Sequence, residues 1–214
     1  KMLRYRCLVF LLYHLQHLLK GTSSAKAITL SFWIKSNKTG TYICELYDND
    51  NNRSISKSYT IDSASTWEKK TITFEGDTTG TLDNDNAASL YAQWWFGAGS
   101  NYTSGTLQTS WGTLTTANRA VGQVNLADST SNELYITGCQ LEVGSTASGF
   151  EFEPYERTLI RCQRYYYQSG GSTEYERVAD GYIANSTLSY VMFHHPVEMR
   201  TTPSYSFSSV SHWA

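Results

Sequence analysis

The sequence predicts an all-β protein, a jelly-roll β-sandwich followed by a smaller β-rich module. Three observations carry that prediction. Apolar residues recur with a period of two in short segments such as Ile28-Thr-Leu-Ser-Phe-Trp-Ile-Lys-Ser36, and this alternation marks a strand with one face in a core. Clusters of Ser, Thr, Asn and Gly separate the segments, and no long 3.6-residue periodicity occurs before Pro154, which favours a sandwich or jelly roll over an α/β fold. Charged residues are only 17% of the 214 and aromatic ones 14%. Ordinary soluble domains carry roughly 25% charge, and aromatic and β-branched side chains suit a pleated, half-buried surface.

Residues 1–20 open the chain. Lys1, Arg4 and Arg6 accompany the apolar run Cys7–Tyr13, and Ala25-Lys-Ala27 could serve as a cleavage site, the outline of a secretory signal. His14, Gln16 and His17 break the run early, and it is too short to span a membrane. A strand or docking arm is therefore the favoured reading.

The sandwich is expected over 21–152. In Ile28–Ser36, Ile28, Leu30, Phe32 and Ile34 share one side, with Thr29, Ser31, Trp33 and Lys35 on the other. Asn37–Gly40 is a turn and Thr41–Tyr47 a returning strand, so the two read as a hairpin. Asp48–Asn52 is a second turn, followed by strands at Arg53–Ile61 and Trp67–Glu75. Gly76–Asn86 is polar and turn-rich, Ser89–Phe96 a strand, and Gly97–Asn118 a long loop carrying Tyr102 and Trp111. Further strands are expected at Ala120–Leu126 and Glu133–Val143, with Gly138 a candidate bulge. Ile28, Leu30, Phe32, Ile34, Ile72, Phe74, Leu90, Trp94 and Leu141 should share the core.

Gly144–Tyr155 reads as a linker into the second module, 153–214. There Pro154 should start a helix over Glu156–Arg164. Strands are expected at Tyr165–Gln168, Glu176–Tyr182, Thr187–His194 and Ser204–Val210. Strand alternation would send at least one of Tyr165, Tyr166 and Tyr167 outward. The module stops soon after its last strand and reads as incomplete.

Composition and motifs exclude several functions. A net charge of −2 supplies no basic stripe for nucleic acid. Cys7, Cys44, Cys139 and Cys162 lie far apart without a CxxC pair, so neither zinc nor a disulfide framework is expected. Buried thiols at Cys44 and Cys139 are the simpler reading. GxSxG, HExxH, P-loop and GxGxxG signatures are absent. His194 and His195 are adjacent, and neighbours on a strand face opposite ways, so they should not share a metal. Asp48-Asn-Asp-Asn-Asn52 begins like a calcium loop, but Arg53 stands where an EF-hand needs Gly and Tyr59 where it needs Glu. A polar hairpin tip is expected instead, although calcium held by backbone carbonyls would leave no sequence signal. Asp48, Asp50, Asp83 and Asp85 crowd into turns, whereas glycoside hydrolysis needs carboxyls facing each other at roughly 5–9.5 Å. No enzyme activity and no cofactor are expected.

Aromatic residues point to binding. In Leu90–Phe96, the even positions Leu90, Ala92, Trp94 and Phe96 should be core, leaving Tyr91, Gln93 and Trp95 on the opposite face. Trp33 likewise opposes an aliphatic stripe. Aromatic plates beside amides and hydroxyls can grip sugar rings, and they can equally cover a second interior layer or meet a neighbouring subunit. Trp33, Tyr91, Gln93, Trp95, Tyr102 and Trp111 therefore form the candidate glycan-binding or interface set.

Three segments occur in a suggestive order: Ala27–Ser36, then Tyr135–Gly144 with Phe150 and Pro154-Tyr155, then Cys162-Gln-Arg-Tyr-Tyr-Tyr-Gln168. Together they resemble bacteriophage tail-fibre and related virion proteins, from about Leu15 to Trp213. In that family the first two lie in a jelly roll like that of carbohydrate-binding modules, and the third begins a tip-like module. The resemblance implies a non-enzymatic fibre or capsid or tail decoration on the virion surface. It also implies a homo-oligomer, by analogy a trimer, that contacts other virion proteins and a host surface glycan, without nucleic acid or a membrane span. The rival is a carbohydrate-binding module of a secreted glycoside hydrolase, which leaves the Cys-Gln-Arg-Tyr-Tyr stretch unexplained. A third reading is a glycan-degrading tailspike with its cleft between subunits.

Overall fold

The computed structural model describes residues 3–10, 15–83, 85, 87–170, 180–185 and 188–206, with backbone only at 3–10, 183 and 189. Contacts divide the chain into two units, Lys1–Phe150 and Glu151–Ala214.

The first unit contains β1 (Leu3–Phe10), β2 (Ile28–Ser36), β3 (Gly40–Asp48), β4 (Arg53–Ile61), β5 (Glu68–Phe74), β6 (Leu90–Gly97), the short helix α1 (Ser100–Thr103), β7 (Gly112–Thr113) and β8 (Leu134–Val143). They build a five-stranded sheet in the order β1-β6-β3-β4-β7 and a three-stranded sheet in the order β5-β2-β8. Every pairing is antiparallel. The fold is an all-β sandwich. Among the described strands of this unit the chain crosses between sheets at most steps, and β3 and β4 pair directly as a hairpin.

Alternation places the core as expected. Ile28, Leu30, Phe32, Ile34, Ile72, Phe74, Leu90 and Trp94 are buried in one cluster, against which Leu141 packs. Phe32 sits at its centre, edge-on to Tyr59 at 5.2 Å and to Trp94 at 5.4 Å. Such edge-to-face pairs add about 0.5–1.5 kcal/mol beyond the area they bury. Burial also pushes the Tyr59 phenol well above its ordinary pKa.

Two expected elements are corrected. β2 and β3 do not form a hairpin, because they belong to different sheets. Asn37–Gly40 instead turns a corner between sheets, with Gly40 at φ 126° and so close to Val124 that a Cβ would lie 2.7 Å from its Cγ1. A polar turn ending in Gly can do either job, so its composition does not distinguish them. Ala120–Leu126 is not a strand. Gly122 at φ 86° breaks the extended backbone there, and instead of a ladder the segment gives β3 the single backbone bond from Val124 N–H to the Thr41 carbonyl at 2.8 Å. The bulge at Gly138 is present: it has φ 56°, and the β2–β8 register slips by one between Ser31 and Trp33.

The second unit holds α2 (Tyr155–Gln163), which starts directly after Pro154, and an antiparallel pair, β9 (Asp180–Asn185) and β10 (Leu188–Met192). Tyr165–Gln168 is not a strand. The Tyr165 and Tyr166 N–H groups both donate to the Cys162 carbonyl at 3.0 Å, extending the helix by a turn. Tyr166 faces outward while Tyr165 and Tyr167 are half-buried, but helical exit rather than strand alternation sets this. His194 and His195 follow the end of β10, and His195 Nε2 lies 3.2 Å from the Tyr205 hydroxyl. Residues 204–206 are not extended into a strand; 176–179 and 207–210 lie outside the described residues. None of the described residues of this unit is fully buried. No described helix is long and apolar enough to cross a membrane.

Candidate functional site

The two sheets each turn one face away from the core, and these outer faces have opposite fates. On the five-stranded sheet, register sets Ile43 beside Trp95, Glu45 beside Gln93 and Tyr47 beside Tyr91. Trp95, Gln93, Glu45 and Ile43 are all fully buried, and Tyr91 is half-buried, stacked on Tyr47 at 6.0 Å. The long connection after β6 is the cover. Its Ala120 is buried against Ile43 and Trp95, and Ala98, Tyr102 and Leu107 pack around them.

Polar groups lock that cover. Arg119 is bidentate to Glu45, Nε to Oε1 at 2.8 Å and Nη2 to Oε2 at 2.9 Å, and Trp95 Nε1 donates to the same Oε2 at 2.9 Å. The guanidinium lies between the rings of Trp95 and Tyr47, 5.1 and 5.4 Å from their centroids. The Ser56 hydroxyl donates to the Arg119 carbonyl at 3.0 Å, and Gln108 Nε2 to the Ser54 carbonyl at 2.8 Å. Tyr91, Gln93, Trp95 and Tyr102 therefore form no open plate with Trp33, and the expectation of one shared surface is corrected. Alternation identifies which side a residue faces, but not whether a distant loop lies on that side.

Trp111 lies elsewhere. It packs against the sandwich core, and its Nε1 donates to the Glu75 carbonyl at 2.7 Å. The Lys20 ammonium sits 5.4 Å from its ring and bridges the buried Asp48 and Asp77 at 2.5 and 3.0 Å. Arg53 clasps Asp77 twice at 2.8 Å. Burial alone would raise the Asp77 pKa, but hydrogen bonds from Arg53 and Lys20 outweigh it and hold the carboxyl below its ordinary range. Asp48 is thus an anchor for the segment before β2 rather than part of a solvated hairpin tip. Among the described residues, no group of three or more His, Cys, Asp or Glu is placed to hold a metal.

The outer face of the three-stranded sheet is open. Trp33 is 41% exposed, Trp67 42% and Tyr135 47%. Pairing of β2 with β8 puts Lys35 opposite Tyr135 and Trp33 opposite Thr137; pairing with β5 puts Trp33 opposite Lys69. The Lys35 ammonium lies 4.8 Å from the Tyr135 ring and 5.6 Å from the Trp67 ring. The Tyr135 hydroxyl donates to Glu133 at 2.9 Å, and that carboxylate raises the phenol's pKa. Gly138 at the bulge leaves room for Trp33: an added Cβ there would lie 3.3 Å from Trp33 Cδ1 and 3.8 Å from Phe150 Cδ2.

The far end of this face is closed by the segment following β8. Thr29 donates to the Gly144 carbonyl at 2.8 Å, and Glu142 accepts from Ser148 N–H at 3.0 Å. What stays exposed is a compact row of aromatic rings with an ammonium between two of them. Such a row can stack on an apolar ring face and bond its hydroxyl or charged groups.

Of the sequence-derived candidates only Trp33 belongs to this row. Lys35, Trp67 and Tyr135 were missed. Tyr135 was legible in principle, because it alternates against Leu134 and Ile136 in β8. Trp67 was not: its place depends on β5 pairing with β2 at Glu68 and Ile34, which no local pattern reveals. Comparison with protein-family models, curated proteins and solved structures finds no match to this chain.

Proposed function

We propose that this chain is a non-enzymatic structural protein of a bacteriophage virion, a fibre or a capsid or tail decoration, which attaches to surface glycan through the outer face of its three-stranded sheet. The observation that carries the reading is the exposed row of Trp33, Trp67 and Tyr135 on a strand-built scaffold. Exposed aromatic patches rimmed by polar groups mark binding surfaces, and rigid rings suit the C–H faces of sugars. The buried carboxylates support a non-catalytic role, since Glu45, Asp48 and Asp77 are each committed to Arg119, Lys20 or Arg53. The second unit supports assembly. It exposes Tyr155, Tyr166, Tyr190 and Met192, residue types favoured where chains meet, and an oligomer would multiply modest single-site affinity.

The test is Trp33→Ala in the assembled particle. Adsorption to host cells or a glycan array should fall about tenfold or more, the loss of roughly one 1.4 kcal/mol contact amplified by valency. Particle incorporation and oligomer mass by light scattering should stay unchanged. Unchanged adsorption with failed assembly would make the face a subunit interface. Sugar binding by a chain never found in purified particles would instead favour the carbohydrate-binding module of a hydrolase.

A further inference from the structure

The ammonium in the aromatic row is the feature of this surface that the glycan reading leaves unused. Acidic side chains near it are already engaged by other groups. Glu133 accepts the Tyr135 hydroxyl at 2.9 Å. Glu142, at the far end of the face opposite Thr29, is held by Ser148, which lowers its pKa. Glu68 faces Lys70 at 2.5 Å and accepts the Ser63 and Asp62 N–H groups. Burial would raise its pKa, but these partners bring it down to about 2. Lys35 makes no ion pair among the described residues; its contacts are the two rings.

That arrangement has a physical consequence. Ring quadrupoles hold a cation in place without cancelling its charge, so Lys35 is positioned as a carboxylate would position it, yet keeps a full positive charge. Lys69 lies one row away, opposite Trp33; its ammonium reaches the Ser148 carbonyl at 3.5 Å and helps to lower the pKa of Glu142, so its charge already has a carboxylate nearby. Lys35 is therefore the ammonium that stands on the open face without a carboxylate partner among the described residues, over the rings of Tyr135 and Trp67. A neutral sugar would leave this charge uncompensated, and a sugar bearing a carboxylate would complete it while its ring stacks on Trp33.

We infer that the ligand of this face is an acidic glycan, a polysaccharide carrying sugar carboxylates, with Lys35 as the specificity-determining residue. The inference rests on the glycan-binding reading above and adds the charge class. It also predicts which side of the sugar matters: removing the carboxylate's charge should weaken binding even where every hydroxyl is retained.

The experiment is calorimetric titration of the full chain with a panel of carboxylated oligosaccharides and their methyl-esterified counterparts, in which linkage and hydroxyls are conserved. Carboxylated forms should bind about tenfold tighter, the scale of one charge-assisted hydrogen bond. That preference should shrink as salt is raised, because the contact is exposed. Lys35→Met keeps the aliphatic stem between the rings, so it should erase the preference without changing the melting temperature; Lys35→Arg should retain it. Equal binding of acid and ester, unaffected by Lys35→Met but abolished by Trp33→Ala, would overturn the inference and leave the glycan-binding reading standing. No binding across the panel by the intact, folded chain would overturn both.

Discussion

Two tryptophans with the same local signature end in opposite environments. Trp33 in β2 and Trp95 in β6 each stand opposite an aliphatic stripe within an alternating strand, yet Trp33 is 41% exposed and Trp95 fully buried. The difference lies in the connections. The segment between β6 and β8 is long enough to fold back across the five-stranded sheet, and Arg119 within it finds Glu45 and the flanking rings of Trp95 and Tyr47. Among the described residues of the first unit, no segment comparable to it returns over the aromatic half of the three-stranded sheet, where Trp33, Trp67 and Tyr135 are exposed. An outward aromatic is therefore ambiguous until the loops are placed: one joins a second small core, the other stays exposed.

The comparison can be broken most directly by truncating each ring. Trp95→Ala should cost about 3–5 kcal/mol, as for other fully buried aromatics, and should loosen the cover. Trp33→Ala should cost less than about 1 kcal/mol, since substitutions on an exposed surface seldom cost more. Chemical denaturation of both variants measures the contrast. Equal losses would mean that the outer face of the three-stranded sheet is structurally committed after all.

A smaller effect should come from the ion pair that locks the cover. Arg119→Met leaves Glu45 buried without its counter-charge and should cost about 3 kcal/mol, the lower end for breaking a buried pair from one side. Adding Glu45→Gln should recover much of that loss, because the neutral amide can still accept from Trp95 Nε1. A double-mutant cycle reads the coupling. A loss below about 1 kcal/mol for Arg119→Met would show that apolar packing of Ala120 and Tyr102, not the ion pair, holds the loop.

These contrasts also explain what the sequence could disclose. Period-two alternation was enough to assign Ile28, Leu30, Phe32 and Ile34 to the core, because the signal is local and β2 is buried on that side throughout. The Gly138 bulge was legible for the same reason: glycine inside a strand has few other uses. The β2–β3 crossing was hidden, since a turn sequence does not encode which sheet receives the next strand. Trp95's roof and the Lys20–Asp48–Asp77 cluster depend on residues dozens of positions apart. Trp67 entered the candidate surface only through strand pairing. In the second unit, tyrosines suggested a strand where the Cys162 carbonyl in fact captures two N–H groups and prolongs α2.

Charge gives the finest version of the same contrast between groups whose cover supplies a partner and groups whose cover does not. Asp77 is buried with Arg53 and Lys20, and its pKa is lowered. Asp50, in the β3–β4 turn, accepts the Asp83 N–H at 3.1 Å but faces carboxylates rather than a cation; burial, with smaller contributions from Asp83 and Asp48, raises its pKa. A raised acid pKa means that the folded protein holds the proton more tightly than the unfolded chain. Ionisation of Asp50 therefore lowers stability at neutral pH, and the penalty fades as pH falls through the folded pKa and below the unfolded value of about 3.9. Asp50→Asn should accordingly stabilise at pH 7, by less than about 0.5 kcal/mol because the group is partly solvated, and should be neutral at pH 3. Asp77→Asn, with the opposite shift, should destabilise at pH 7 and lose that effect in acid. Urea denaturation of both variants at the two pH values reads the signs; a destabilising Asp50→Asn at pH 7 would show that the Asp83 N–H contact outweighs the cost of burying the charge.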